Sequence, residues 1–339
     1  MEIEKKVKRL KTIIIALSAV IVMGLALGIF LVVRFNIPFA IRHSGTKFYA
    51  PSDIELIQKR AHEEGRNDFK NELRTRLNNG DTINYLLRTY FPDYFVYSEG
   101  SVYRFKEIDD SLAKNELKSE NFKTSDSEIS YSDGDKKAHK AIDVSTYQGS
   151  INFSKVKSDG VDYTFIRCGY RGYSEGKIQD DASFDENAAA ALRNGLKIGT
   201  YFFTQATTKA EAEEEAEYVL KRIAPYNVTL PVAIDVEKIT TGTARQAKLT
   251  DSELTDIVVA FCEKIKAAGY TPMVYANMNY FAGHLDLSRL ESYHKWYAFY
   301  SDSLYMPYKI AMWQYSSEGK VSGIDGNTDI NLMFEDFEK

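Results

Sequence analysis

Cysteine is scarce: Cys168 and Cys262 are the only two in 339 residues. Each sits in an apolar run, Phe165-Ile166-Arg167-Cys168 and Val258-Val259-Ala260-Phe261-Cys262. Two thiols do not make a disulfide framework in a chain long enough to build its own core, so two buried free thiols are expected. Histidine is sparse and scattered (His43, His62, His139, His284, His294), and none is placed to serve a cysteine nucleophile. Neither CxxC nor HExxH occurs, so a metal site has no support and no cofactor is expected. The basic excess of a nucleic-acid binder is missing too: net charge is −5.

Long uncharged runs are absent except for one. Residues Thr12 to Val33 carry no charge, and as a helix they reach about 33 Å, enough for a hydrocarbon core near 30 Å. A cleaved signal peptide would have a shorter apolar region and a small-x-small site after it, whereas this run ends at Val32-Val33-Arg34-Phe35. An uncleaved signal anchor fits better. Lys5, Lys6, Lys8, Arg9 and Lys11 precede it, against Arg34, Arg42 and Lys47 after it. The positive-inside rule then leaves residues 1–11 in the cytoplasm and everything beyond the 12–33 span outside the cell.

What is present is ordinary globular composition, 44% hydrophobic and 27% charged, at a length that allows about two domains. Aromatics are abundant, with 23 Tyr and 19 Phe, which suits both strand surfaces and a carbohydrate site. Residues 52–77 read as a helix with Ser52 as N-cap and Glu55 completing a capping box; residues 82–90 read as a second. Tyr94–Tyr97 and Val102–Phe105 flank a glycine-bearing turn and read as a hairpin. The 40–118 stretch is thus expected to be a small helix-plus-hairpin module near the membrane, a spacer or a docking site for a protein partner. Residues 119–138 are polar and turn-rich and read as a linker.

From residue 139 to 339, strand-like and helix-like stretches alternate. The strand candidates are 141–145, 163–170, 197–204, 231–237, 271–277, 295–301, 310–316 and 328–332; the helices are 183–194, 208–224 and 252–268. Such alternation argues for an α/β fold, here a modified (β/α)8-type barrel with short or missing helices between its last strands. The active site of such a barrel lies at the C-terminal ends of its strands. Acids there are informative: Asp143 inside the first candidate, Asp235 and Glu237 ending the fourth, Asp329 beginning the last.

The pair in Leu230-Pro231-Val232-Ala233-Ile234-Asp235-Val236-Glu237-Lys238 is the focus. Period-two alternation sends Asp235 and Glu237 from one face, about 7 Å apart along the strand. At an effective dielectric near 20 their repulsion is roughly 2–2.5 kcal/mol, enough to lift a glutamic acid from about 4.3 to about 6. A carboxylic acid held protonated beside an ionised one is what glycosidic cleavage needs. Taken alone, the stretch fits a strand ending at the surface with two solvated acids just as well. Aromatics at the strand ends (Tyr147, Tyr201, Tyr275, Trp296, Trp313 and Tyr315) are either core or rim residues taken singly; as a set beside four acids they point to a carbohydrate site.

Four blocks, in order, make residues 140–339 resemble the glycoside hydrolase family 25 lysozymes. They are Ile142-Asp143-Val144-Ser145-Thr146-Tyr147-Gln148-Gly149; Lys197-Ile198-Gly199-Thr200-Tyr201-Phe202-Phe203; Leu230 to Glu237; and Trp313 to Gly319 with Gly323 to Asn331. The resemblance implies cleavage of the β-1,4 bond between N-acetylmuramic acid and N-acetylglucosamine. It implies Glu237 as general acid, Asp235 acting on the N-acetyl group or stabilising charge, and Asp143 and Asp329 completing the cluster. Phe202 stands where a histidine is frequent and Phe153 where a tryptophan is usual, departures that bear on substrate contacts. Because Asp235 shares Glu237's strand and face, it is badly placed to attack from the opposite side. That favours attack by the substrate's own acetamido group, with Asp143 as base or nucleophile the other option. The expectation is a membrane-anchored peptidoglycan hydrolase that remodels the wall or opens it for a larger assembly. A wall-binding protein of the same fold with little activity, and an enzyme acting on chitin, are the competing readings.

Overall fold

The computed structural model describes residues 2–35, 49–126, 128–134, 136–237, 239 and 244–337, with side chains from 28 to 35 excepted. Of the expected features, residues 40–48 of the small module, with Arg42 and Lys47, lie outside the described residues, as does Lys238. Two compact units divide the chain, one ending at Leu86 and the other beginning at Leu87.

In the first unit, helix α1 (Glu2–Phe35) runs unbroken through the apolar segment, and its Glu2–Leu27 portion is long and apolar enough to cross a membrane. Helix α2 (Pro51–Asn78) begins one residue earlier than expected. Ala50 is its N-cap, not Ser52; Pro51 opens the first turn, where its missing N–H costs nothing, and Asp53 Oδ2 accepts from the Ala50 N–H at 3.1 Å. Asp81, just past the helix end, holds Arg76 of the last turn at 2.7 Å. A short helix α3 (Ile83–Tyr90) follows in sequence.

The second unit is the barrel with its appendages. The expected hairpin forms from β1 (Tyr94–Glu99) and β2 (Val102–Glu107), but it is part of this unit and not a separate module. Phe95 is buried against Tyr305 and Tyr308, and the Val96 N–H donates to Tyr305 Oη at 2.8 Å. Residues read as a linker instead form a three-stranded antiparallel ribbon, β3 (Phe122–Ser125), β4 (Glu128–Asp133) and β5 (Lys136–Lys137). Polar residues mislead there because only one face of β4 is covered: Ile129 and Tyr131 are buried while their neighbours point to water.

The remaining strands are β6 (His139–Val144), β7 (Tyr163–Arg171), β8 (Ile178–Asp180), β9 (Lys197–Phe203), β10 (Val228–Asp235), β11 (Pro272–Asn277), β12 (His294–Ala298), β13 (Met312–Gly319) and β14 (Thr328–Met333). Their order is β6-β14-β13-β12-β11-β10-β9-β7, and the pairing of β6 with β7 closes these eight into a barrel, with β8 appended to β7. All neighbours in the ring are parallel except β14, which is antiparallel to both β13 and β6. Helices α4 (Phe153–Ser158), α5 (Phe184–Arg193), α6 (Lys209–Ile223) and α7 (Asp251–Ala267) serve the first half of the ring. Between β11 and β12 there is only a π turn (Tyr280–His284), in keeping with the expected loss of late helices.

Strand alternation sorts the residues into two cores. Ala141, Phe165, Ala233, Met273, Trp296, Met312 and Met333 fill the barrel interior. Ile142, Ile166, Phe202, Ile234, Val274, Tyr297, Trp313 and Leu332 face outward under the helices and ribbon. Gly199 lets β9 pass close to the filled interior: a Cβ there would lie 2.5 Å from the Phe165 ring. Both cysteines belong to the outer core and are free and buried, with burial pushing the Cys168 thiol up to about 12.

Candidate active site

Three of the four acids reach one end of the barrel because their strands end there; the fourth does so because its strand runs backwards. Asp143 and Asp235 lie near the C-terminal ends of parallel strands, and Glu237 follows β10 two residues on. Asp329 starts antiparallel β14, and the register sets it directly beside Asp143. All four line one open cavity of about 570 Å³ with Tyr147, Tyr201, Tyr275 and Trp296. The ring order places β14 four strands from β10 by either route, so Asp329 stands across the mouth from Asp235 and Glu237.

Depth separates the acids into two pairs. Asp143 and Asp235 are buried; Glu237 and Asp329 are half-buried. Burial is the largest cause of a raised pKa at every one of them, since a carboxylate loses hydration that the cavity does not restore. Asp143 is pushed well up, first by burial and then by the charge of Asp329, while side-chain amides pull it part of the way back. Those amides are Gln314 Nε2 and Asn331 Nδ2, which donate to Asp143 Oδ2 at 2.9 and 2.8 Å. Trp296 Nε1 fixes the Asn331 amide by donating to its Oδ1 at 2.7 Å. The hydroxyls of Tyr275 and Tyr300 meet Gln314 Oε1 at 2.8 and 2.9 Å.

Asp235 is the least supported of the four. Burial, then the charges of Glu237 and Asp143, hold it well above its ordinary value, and its Oδ1 has no hydrogen-bond partner. Arg167 on β7 offsets this in part. That guanidinium is itself fixed by buried Asp181, 2.8 Å away, and lies 4.9 Å from the Tyr147 ring centre and 5.4 Å from that of Tyr170. Glu237 is raised by burial and partly lowered by the Tyr275 hydroxyl. Asp329 is raised to about 6, by burial and then by the charge of Glu237. The site therefore keeps carboxyl groups protonated to higher pH than water would, and it sets acids on both sides of the mouth.

Two expected substrate contacts are elsewhere. Trp313 and Tyr315 alternate with Met312 and Gln314 on β13, and it is Gln314 that faces the cavity. Trp313 packs on Phe122 and donates its Nε1 to Phe299 O at 2.8 Å, and Tyr315 Oη lies 3.4 Å from the Ile129 N–H, so both belong under the ribbon. The two departures from the family pattern also lie away from the cavity. Phe202 is buried against Tyr218 and Phe153 is buried on α4, so neither touches a substrate placed among the acids.

Residues not singled out from sequence also line the site: Arg167, Tyr170, Tyr173, Phe203, Tyr300 and Gln314. Arg167 carried a usable signal, a lone charge in an apolar strand, the same feature that marks Asp143. Counting by twos from Asp329 also leads to Asn331. Tyr170 and Tyr173 carried none: the register of β7 against β9 shifts between Arg167 and Gly169, just before Tyr170, and Tyr173 lies in the turn after the strand.

The chain matches the model of glycosyl hydrolases family 25 over residues 142–324. It is 28% identical over 202 residues to the autolytic lysozyme of Clostridium acetobutylicum, covering 58% of this chain and 56% of that one. With lysozyme M1 of Streptomyces globisporus it shares 28% identity over 201 residues, 56% of this chain and 66% of the other. Among solved structures, the modular autolysin LytC of Streptococcus pneumoniae aligns with a TM-score of 0.53 at 22% identity, over 70% of this chain and 57% of that chain. The spore cortex lytic enzyme SleM of Clostridium perfringens aligns at 0.51 and 22%, over 58% and 67%. These structural likenesses speak for the barrel fold. The chain spans little more than half the length of the autolytic lysozyme and of LytC.

The isosteric change Asp235→Asn removes a buried charge that lacks a full set of partners. A carboxyl group raised on folding lowers stability as pH rises from its unfolded value, about 3.9, through its folded value. The variant is therefore expected to be more stable than the parent at pH 7–8, by roughly 0.5–2 kcal/mol, with the gain vanishing toward pH 4. Denaturant melts at the two pH values check this; an Asn variant less stable at pH 8 contradicts it.

Proposed function

We propose, from the premise that the chain belongs to glycosyl hydrolase family 25, that it is a membrane-anchored peptidoglycan hydrolase. It cleaves the β-1,4 bond between N-acetylmuramic acid and N-acetylglucosamine. The observation that carries this is the convergence of Asp143, Asp235, Glu237 and Asp329 on one aromatic-walled mouth, where burial raises the Glu237 carboxyl above its ordinary value. The relatives named lysozyme and autolytic lysozyme support the substrate class.

Glu237 is the general acid. Its half-buried carboxyl donates a proton to the glycosidic oxygen as the bond breaks, a contribution of typically 10²–10⁴-fold. Asp235, on the same side and deeper, orients the 2-acetamido group of the sugar and stabilises the positive charge that develops when that group attacks the anomeric carbon. Hydrogen bonds from Gln314 and Asn331 keep the Asp143 carboxyl in place. Glu237, ionised when it gives up its proton, takes a proton from the water that opens the cyclic intermediate and is restored as the acid, while Asp329 lies across the mouth beside Asp143. Sugar faces stack on Tyr147, Tyr201 and Tyr275.

Glu237→Gln is expected to lower the hydrolysis of purified peptidoglycan by 10²–10⁴-fold, with the fold retained. In the parent enzyme, activity falls as pH rises through the raised Glu237 value, since only the protonated form donates. A Gln variant that releases sugar at the parent rate sinks the assignment. It would favour the second reading, a wall-binding protein that keeps the fold and cleaves little. The same assay on chitin separates the third.

The anchor is the helix whose Glu2–Leu27 portion can span a bilayer. With Lys5, Lys6, Lys8, Arg9 and Lys11 ahead of the uncharged run of residues 12–33, the N-terminus stays in the cytoplasm and the barrel works at the outer surface, within reach of the wall. There it remodels the wall or opens it locally for a larger assembly, with the 40–118 stretch available to a protein partner. Protease added to wall-stripped intact cells is expected to remove the barrel and spare the residues before the span; a protected barrel would reverse the topology.

A further inference from the structure

Asp143 and Asp329 face each other on paired antiparallel strands, and both line the cavity. Directly opposed residues of such a pair have Cβ atoms about 4.5–5.5 Å apart, so the two carboxyl groups are neighbours, and they are in hydrogen-bond contact. Neither has a basic partner: among the described residues no lysine, arginine or histidine pairs with either, and Arg167, the one cation among the described lining residues, is bound to Asp181. Neutral donors hold Asp143 instead. Gln314 Nε2 and Asn331 Nδ2 both donate to the same oxygen, Asp143 Oδ2, at 2.9 and 2.8 Å. Each amide is locked in that sense. Gln314 Oε1 accepts from the hydroxyls of Tyr275 and Tyr300, and Asn331 Oδ1 accepts from Trp296 Nε1, so the nitrogen is the end that meets Asp143. Two N–H donors fill both acceptor sites of Oδ2. A proton on Asp143 therefore sits on Oδ1, the oxygen left for Asp329. Two carboxylates in contact, without a counter-ion, cannot both ionise.

We propose that Asp143 and Asp329 hold one proton between them in the neutral range and act as a single anion, with the proton on the Asp143 oxygen that faces Asp329. The other titratable groups that face the pair are Tyr201 from β9, Asp235 and Glu237 from β10 and its end, Tyr275 from β11, and Tyr300 after β12. Not one of them is a cation, so none of them removes the need to share. The order of ionisation agrees: burial and then the charge of Asp329 hold Asp143 well above its ordinary value, while Asp329, at about 6, gives up its proton first. For its meaning in catalysis the inference rests on the hydrolase reading. There a proton-sharing Asp143 is neither a free base nor a nucleophile, which leaves attack on the anomeric carbon to the acetamido group. The pair presents one negative charge across the mouth from Glu237, toward the positive charge that develops on the sugar. Two full charges in its place would add to the repulsion at buried Asp235, which already feels Asp143 and Asp329.

The test is a carbon-detected NMR titration of aspartate side-chain carboxyls in the full chain in detergent, with the two resonances assigned from Asp143→Asn and Asp329→Asn. In the parent chain both carboxyl carbons are expected to respond at each of two separate steps, as groups that share a proton do. In Asp329→Asn, which keeps the shape and removes the charge, Asp143 is expected to titrate in one step, with its midpoint lower by about one pH unit or more. Two resonances that each move in a single step of their own overturn the proposal, as does an Asp143 midpoint that does not fall in Asp329→Asn. The parent titration needs no substitution beyond assignment, so it decides the question even where a variant folds poorly. No turnover is involved in either reading. A chain that shows the shared proton but hydrolyses no wall would refute the hydrolase and leave the pair standing; one that hydrolyses wall with two independently titrating acids would do the reverse.

Discussion

Asp143, Asp235, Glu237 and Asp329 each ionise only against the loss of water, and all but Glu237 against the charge of a neighbouring acid as well. In water at neutral pH four such groups would all be anionic. At the mouth of the barrel every one is held above its ordinary value, with burial the leading cause, and three feel a neighbouring acid as well. The most relevant consequence is that the site gives up its protons at higher pH than exposed carboxyls would. The rest of the local structure limits the cost of keeping these groups together. Gln314 and Asn331 donate to Asp143, Trp296 orients Asn331, and Arg167 supplies the positive charge nearest the buried end.

The barrel makes this assembly possible through one topological feature. Parallel strands bring Asp143 and Asp235 to one end, but eight parallel strands would send the first residues of β14 to the opposite end. Reversing β14 brings Asp329 beside Asp143 and across from Glu237. A carboxylate on each side of the opening is what separates a site for bond cleavage from a simple acidic patch. The short turn from β13 to β14 fits the reversal, because antiparallel neighbours need no crossover helix.

Much of this was legible in the chain. Asp235 and Glu237 share a face because strand geometry demands it, and the four-block order implied the barrel and located all four acids. Direction was harder. Trp313 and Tyr315 sit in the same block as Gln314, yet a one-residue offset turns them under the ribbon and turns Gln314 inward. Alternation read outward from Asp329 and Asn331 on the paired strand could have settled that. The ribbon itself was not legible: β3 to β5 bury only one face, and Ile129 and Tyr131 are too few to stand out in a polar stretch. For the hairpin, its form was visible but its attachment was not, since that depends on Tyr305 and Tyr308, some two hundred residues away in sequence.

The central claim is that the cavity keeps the Glu237 carboxyl protonated where an exposed glutamic acid would be ionised. The direct measurement is a carbon-detected NMR titration of glutamate side-chain carboxyls in the isotope-labelled protein, with Glu237 assigned from the resonance lost in Glu237→Gln. The account predicts a midpoint above the ordinary glutamic value of about 4.3. It also predicts that the midpoint stays above that value when Asp235 is replaced by Asn, because burial is the cause of the shift. A midpoint at or below the ordinary value would contradict it.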